Sequence, residues 1–206
     1  MKTASERCGF FWDLIMDKIG ICGAGLIGAS WAIGFANAGF KCFVYDKSED
    51  ISSKFKSLAN KLIKDLRIIN PEIDEEKINS NIKLNCTIEE TCNDSILVQE
   101  SVLEDLELKK SVFEQLDKLS PENTIIASSS SYLLISKISE LVKHKYRCIN
   151  AHPALPPHIV PFVEVAGGVN TDPKIIKQAV SIYKKAKYAA ITCLLYTSPS
   201  PRDIGE

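Results

Sequence analysis

The sequence has almost no net charge: 25 Lys and Arg against 26 Asp and Glu leave −1 over 206 residues. A chain so balanced lacks the basic field that draws a protein to nucleic acid or to an anionic membrane surface. Long apolar runs are also missing. Glycine and polar residues interrupt every one of them well short of a bilayer's thickness, so no membrane span is expected. The seven cysteines are odd in number and never spaced C-x-x-C, which argues against a disulfide framework and a zinc site. Several stand in apolar runs, where a reduced cysteine acts as a small hydrophobe, so a reducing, cytoplasmic setting is expected. Near the N-terminus Glu6, Asp13 and Asp17 break up the one apolar patch. That is unlike a targeting peptide, and residues 1–17 read as a short extension.

What is present alternates. "KIGICG" is a short apolar run, "LIGASWAIGFANA" repeats apolar residues at helical spacing, and Gly39 separates it from the apolar run "KCFVY". Residues 48–70 read as a lysine-rich amphipathic helix ending at Asn70-Pro71. "IKLNC", "SILVQ", "NTIIAS", "RCINAH" and "FVEVAG" read as strands. Between them "EDLELKKSVFEQLDKL", "SYLLISKISELVK" and "DPKIIKQAVSIYKKA" read as helices, with Glu107 and Lys110 on an exposed face and Pro173 in a first turn. Strands alternating with helices of these lengths predict an α/β domain with a doubly wound, mostly parallel sheet over residues 18–193. The stretch "LLYTSPSPRDIGE" departs from all of this and resembles a translated sequencing adapter. Residues 194–206 are therefore expected to be non-native, and the natural chain to be longer.

"GICGAGLIG" contains G-x-G-x-x-G as Gly23, Gly25 and Gly28, directly after a strand and opening a helix. Asp46 follows at the end of the second strand. This is the setting of a Rossmann-type dinucleotide site. Gly23 permits the tight turn, Gly25 lets backbone approach a pyrophosphate, and Gly28 allows close helix–strand packing. The pyrophosphate would sit on the helix N-terminus at Leu26, Ile27 and Gly28. Asp46 can accept from a ribose 2′-hydroxyl and would repel a 2′-phosphate, which favours NAD over NADP.

Two further strand ends carry polar residues. "LVQES" ends in Glu100 and Ser101, and "IIASSSS" in Ser128 to Ser131. Ser131 reads either as a cap on a helix starting at Tyr132 or as a site residue, and Glu100 as a solvated loop residue or a site residue. In "INAHPALPPHIVPFVEV" a turn stiffened by Pro153, Pro156, Pro157 and Pro161 joins two strands. Such a turn can bring Glu164 to the far imidazole nitrogen of His152. A carboxylate there fixes the tautomer and stabilises imidazolium, which makes His152 a competent general base beside a nicotinamide.

These segments resemble the 3-hydroxyacyl-CoA dehydrogenase superfamily, most closely its lambda-crystallin / L-gulonate 3-dehydrogenase branch. The carriers are "IGICGAGLIGASWA", "VQESVLEDLELKKSVFEQLD", "IIASSSS" and "AHPALPPHIVPFVEV". The resemblance implies that His152 is the catalytic base, Glu164 its orienting carboxylate, Ser131 the hydroxyl that binds the reacting oxygen, and Glu100 a contact on the nicotinamide side of NAD. It implies oxidation of a secondary alcohol in a small hydroxy acid, with L-gulonate the type case. The alternatives are a 3-hydroxyacyl-CoA, whose phosphates Lys54, Lys56, Lys61 and Lys64 could meet, and a non-catalytic, crystallin-like dinucleotide binder. It also implies a C-terminal helical domain that closes the cleft and forms a homodimer; "LLYTSPSPRDIGE" stands where that domain's first segment is expected, so this chain is expected to lack the domain and to have little activity alone. One departure lies inside the site: the family has asparagine three residues after the histidine, and this chain has Leu155.

Overall fold

In a computed structural model that describes residues 17–48 and 50–193, the apolar runs pair as a single eight-stranded sheet. The strands are β1 (Lys18–Cys22), β2 (Lys41–Tyr45), β3 (Ile82–Lys83), β4 (Ser95–Glu100), β5 (Ile125–Ser128), β6 (Cys148–Pro153), β7 (Phe162–Gly167) and β8 (Ala189–Thr192). Their spatial order is β3-β2-β1-β4-β5-β6-β7-β8. All neighbours run parallel except β6 and β7, which the short proline-rich turn joins in antiparallel register. The chain crosses from one side of β1 to the other between β3 and β4. A crevice opens at such a reversal, outside the carboxyl ends of the strands.

The helices are α1 (Leu26–Asn37), α2 (Ile51–Ile69), α3 (Glu75–Ser80), α4 (Ile88–Cys92), α5 (Leu106–Leu119), α6 (Ile135–Ile138) and α7 (Pro173–Lys185). The strands need apolar residues on both faces because helices cover both. Ile19, Ile21, Leu97, Ile125, Ala127, Ile149 and Ala151 pack on one side, against Trp31 and Phe35 of α1, Leu62 of α2 and Tyr183 of α7. Their strand neighbours Cys22, Val98, Ile126 and Cys148 pack on the other, against Cys92, Phe113, Leu116 and Ile138. Burial lifts the thiol pKa of Cys22, Cys42 and Cys148, the last to about 12, so these cysteines are inert packing groups.

Several elements differ from the sequence reading, which does not single out the edge strand β8 (Ala189–Thr192) or the short helix α4 (Ile88–Cys92). The "IKLNC" strand shrinks to the two residues of β3. The helix expected from Tyr132 is only the single turn Ile135–Ile138. Side-chain competition explains the delay: Ser130 Oγ accepts from Leu133 N at 3.0 Å, and Asn150 accepts from Ile135 N at 2.8 Å while donating to Leu133 O at 3.2 Å. Backbone groups satisfied by side chains have no need of a helical turn. The expected extension lies outside the described residues up to position 16, and the expected non-native tail lies wholly outside them.

Candidate functional site

The glycine turn closes β1 and opens α1. Gly23 has φ +95°, a conformation glycine adopts without strain, and a Cβ there would stand 2.7 Å from the carbonyl oxygen of Ser101. A Cβ on Gly28 would stand 1.8 Å from the carbonyl oxygen of Gly23, so the helix can approach the strand only because position 28 is bare. A Cβ on Gly25 would meet nothing within 4 Å. Packing therefore does not demand glycine at position 25, which leaves a close approach from outside as its use. Gly25 is also the N-cap of α1 and supplies no side-chain cap, so the N–H groups of Leu26, Ile27 and Gly28 and the positive end of the helix dipole are free for an anion.

Asp46 braces this turn. One carboxylate oxygen accepts from Ala24 N at 2.8 Å and the other from Ser48 N at 2.9 Å. Lone pairs remain on both oxygens for a pair of ribose hydroxyls. Gly25, Asp46, Lys47 and Ile88 line a groove of about 390 Å³. Ser101 and Val102 at the end of β4 carry this groove into a second cleft of about 250 Å³, where Ile27, Glu104, Lys109, Ser131 and His152 meet.

At the far end of that cleft the antiparallel pair β6–β7 sets His152 directly opposite Glu164. His152 Nδ1 lies 3.3 Å from Glu164 Oε2, and both side chains are partly exposed. With Nδ1–H donated to the carboxylate, the Nε2 lone pair is left to the cleft, and no described residue occupies it. Ser131 stands at the mouth, exposed, lining the cavities on both sides of His152. It caps no helix: the nearby turn is held by Ser130.

Glu100 requires a correction. Its side chain is 0% exposed and does not face the cleft. The carboxylate accepts from Lys109 Nζ at 2.7 Å, from Ser128 Oγ at 2.6 Å and from Val102 N at 2.6 Å. Burial raises its pKa, and these three donors pull it back. No direct contact with a nicotinamide is open to it. The acid that does reach the cleft is Glu104, which shares the same ammonium at 3.1 Å and accepts from Ser130 Oγ.

Lys109 and Glu104 are functional candidates missed in the sequence. The signal was there: Leu106, Lys109, Phe113 and Leu116 follow core spacing along α5, which puts a lysine on the inward stripe. A lysine there is 1% exposed and is tolerable only when paired.

A glycine turn on a bare helix N-terminus, a strand-end aspartate and a cleft at the sheet reversal together define a dinucleotide-binding domain. The match to the model of the 3-hydroxyacyl-CoA dehydrogenase NAD-binding domain runs over residues 18–195, and the chain belongs to that family. NAD is accordingly the cofactor of this domain, and the bare Gly25 cradle and the spare lone pairs of Asp46 fit it.

Among curated relatives, the human lambda-crystallin homolog is 34% identical over 168 residues, covering 80% of this chain and 53% of that protein. The L-carnitine dehydrogenase of Nocardiopsis dassonvillei is 31% identical over 170 residues, covering 82% and 51%. The chain thus spans about half the length of the curated relatives it matches. The solved (S)-3-hydroxybutyryl-CoA dehydrogenase of Ralstonia eutropha has the same fold, with a TM-score of 0.79 at 24% identity, over 86% of this chain and 63% of that one.

Proposed function

We propose that this chain is the NAD-binding half of an NAD-dependent dehydrogenase that oxidises the secondary alcohol of a small hydroxy acid to a ketone. L-Gulonate is the substrate we would try first. The observation that carries the reading is the His152–Glu164 pair, built across β6–β7 at the end of a cleft continuous with the dinucleotide groove.

His152 Nε2 accepts the hydroxyl proton of the substrate, and Glu164 steadies the imidazolium that results. Ser131 donates to the reacting oxygen and orients it. Bound NAD supplies the hydride acceptor. Glu104 and Lys109 present a fixed acceptor and a fixed charge on the nicotinamide side of the cleft. The substrate class is supported by the relatives, one of which is named for L-carnitine, itself a free hydroxy acid. The lysine-bearing groove on α2, where Lys54 and Lys61 flank Ser57, is an open helix face with no feature that selects a CoA phosphate. A homodimer and a cytoplasmic setting complete the proposal.

The test is NAD reduction, followed at 340 nm, by protein made from the complete reading frame of the gene, with L-gulonate, L-carnitine and a 3-hydroxyacyl-CoA supplied in turn. The expected result is turnover with a free hydroxy acid, and a fall in kcat of about 10²–10⁴-fold in His152→Ala with NAD affinity retained. Turnover confined to the CoA thioester would replace the substrate class. Turnover that survives His152→Ala would remove the mechanism.

A further inference from the structure

A chain of buried hydrogen bonds runs from α7 to the middle of the dinucleotide cleft, and its polarity can be read one link at a time. Tyr183 is fully buried, and burial holds its hydroxyl far above the usual phenol range. Its O–H therefore stays on and must donate. The acceptor, at 2.5 Å, is the side-chain carbonyl oxygen of Gln99. That fixes the Gln99 amide with its NH₂ turned the other way, and it donates to Ser129 Oγ at 2.8 Å. Trp31 Nε1, which can only donate, reaches the same Ser129 oxygen at 3.1 Å. A hydroxyl oxygen has two lone pairs, and these two donors take both. The Ser129 proton then has one described neighbour to go to, Ser101 Oγ at 2.8 Å. Ser101 accepts it, and its own O–H is left without a protein acceptor among the described residues.

Ser101 stands where this free donor has a use. It borders both the adenosine-side groove and the cleft that ends at His152. Its N–H is held by Cys22 O at 2.8 Å, and its carbonyl oxygen lies close against Gly23. It is thus abreast of the glycine turn at the junction of the two halves of the site. We propose that Ser101 is a cofactor-binding residue whose hydroxyl donates to an oxygen acceptor in the central part of the dinucleotide beyond its AMP moiety, an oxygen of the nicotinamide-side phosphate or ribose. Tyr183, Gln99, Ser129 and Trp31 act as positioning residues that set its direction. The proposal rests on the NAD reading of the family and adds to it a residue and a polarity.

The test is binding rather than turnover. NADH, ADP-ribose and AMP are titrated into wild type and Ser101→Ala by calorimetry, with thermal unfolding as the check on folding. One neutral hydrogen bond to a ligand corresponds to a loss of about three- to tenfold. NADH and ADP-ribose should weaken by that factor in Ser101→Ala, and AMP, which reaches only the adenosine half, should not. The positioning role is read in a second background, Gln99→Leu with Tyr183→Phe, which removes both buried polar ends together and leaves neither unpaired. Ser129 then regains a lone pair that competes for the Ser101 proton, so Ser101→Ala should cost less there than in wild type, a coupling that loss of packing would not produce. Unchanged NADH affinity in Ser101→Ala, or equal losses for NADH and AMP, would overturn the proposal. Additive losses in the double background would overturn the relay. A wild-type chain that bound AMP and NADH equally poorly would overturn the NAD reading beneath both.

Discussion

Lys109 is the residue on which most of the cleft floor depends. Its ammonium is enclosed by the carboxylates of Glu100 and Glu104 and by the carbonyl of Val102. Replacing it alone leaves the Glu100 carboxylate buried without its cation. Lys109→Met is expected to cost about 3–5 kcal/mol, measured by urea unfolding. Lys109→Met combined with Glu100→Gln should regain most of that loss, because the charge left without its cation is then only that of Glu104, which is partly exposed to solvent. Leu155 offers the opposite experiment. It is 64% exposed at the mouth of the cleft and carries no hydrogen-bonding group where the resembling family has asparagine. Leu155→Asn is expected to raise kcat/KM in the complete protein about tenfold, the value of one restored polar anchor. An unchanged or lower kcat/KM would mean that this chain has no use for that anchor.

The glycine turn separates packing from binding at the scale of the element. Gly28→Ala forces a methyl group to within 1.8 Å of the Gly23 carbonyl, so α1 must move off the strand; both the melting temperature and NADH affinity should fall. Gly25→Ala meets open space. Its melting temperature should stay within about 2 °C of wild type while NADH binding weakens about tenfold or more. The turn between β6 and β7 contains a second testable group. Ser30 Oγ donates to Leu26 O at 2.8 Å, so His158 Nδ1 must donate to Ser30 Oγ, 3.2 Å away, and His158 Nε2 is buried with no partner among the described residues. Burial depresses the His158 pKa. The unfolded chain therefore binds the extra proton first, and stability present above about pH 6.5 is lost as the pH falls below it. Urea midpoints measured from pH 8 to pH 5 should decline, and His158→Phe should flatten the decline.

These elements also show what the sequence made legible. The glycine turn and the facing of His152 and Glu164 could be read because each depends on local spacing: a strand, a fixed turn and a period of two. The helix from Tyr132 could not, because its apolar spacing is genuine and is overruled by Asn150, a side chain from β6. Glu100 and Glu104 lie on one short acidic stretch, and only the path of the chain after β4 decides which of them is buried. Lys109 goes unnoticed among the lysines of its helix: its spacing marks an inward position, but the two carboxylates that make a lysine tolerable there arrive from outside α5.

For the molecule as a whole, the sheet brings two separately built halves into one cleft. The parallel half, from β3 to β6, supplies the dinucleotide groove; the antiparallel turn into β7 supplies His152 and Glu164. Ser101 and Val102 join them. The most direct measurement of this arrangement is a calorimetric titration of the chain with NADH and, in parallel, with NADPH. One NADH per chain is expected, with NADPH at least about tenfold weaker because the Asp46 carboxylate repels a 2′-phosphate. Equal affinity for the two, or no saturable NADH binding by a folded chain, would contradict the account.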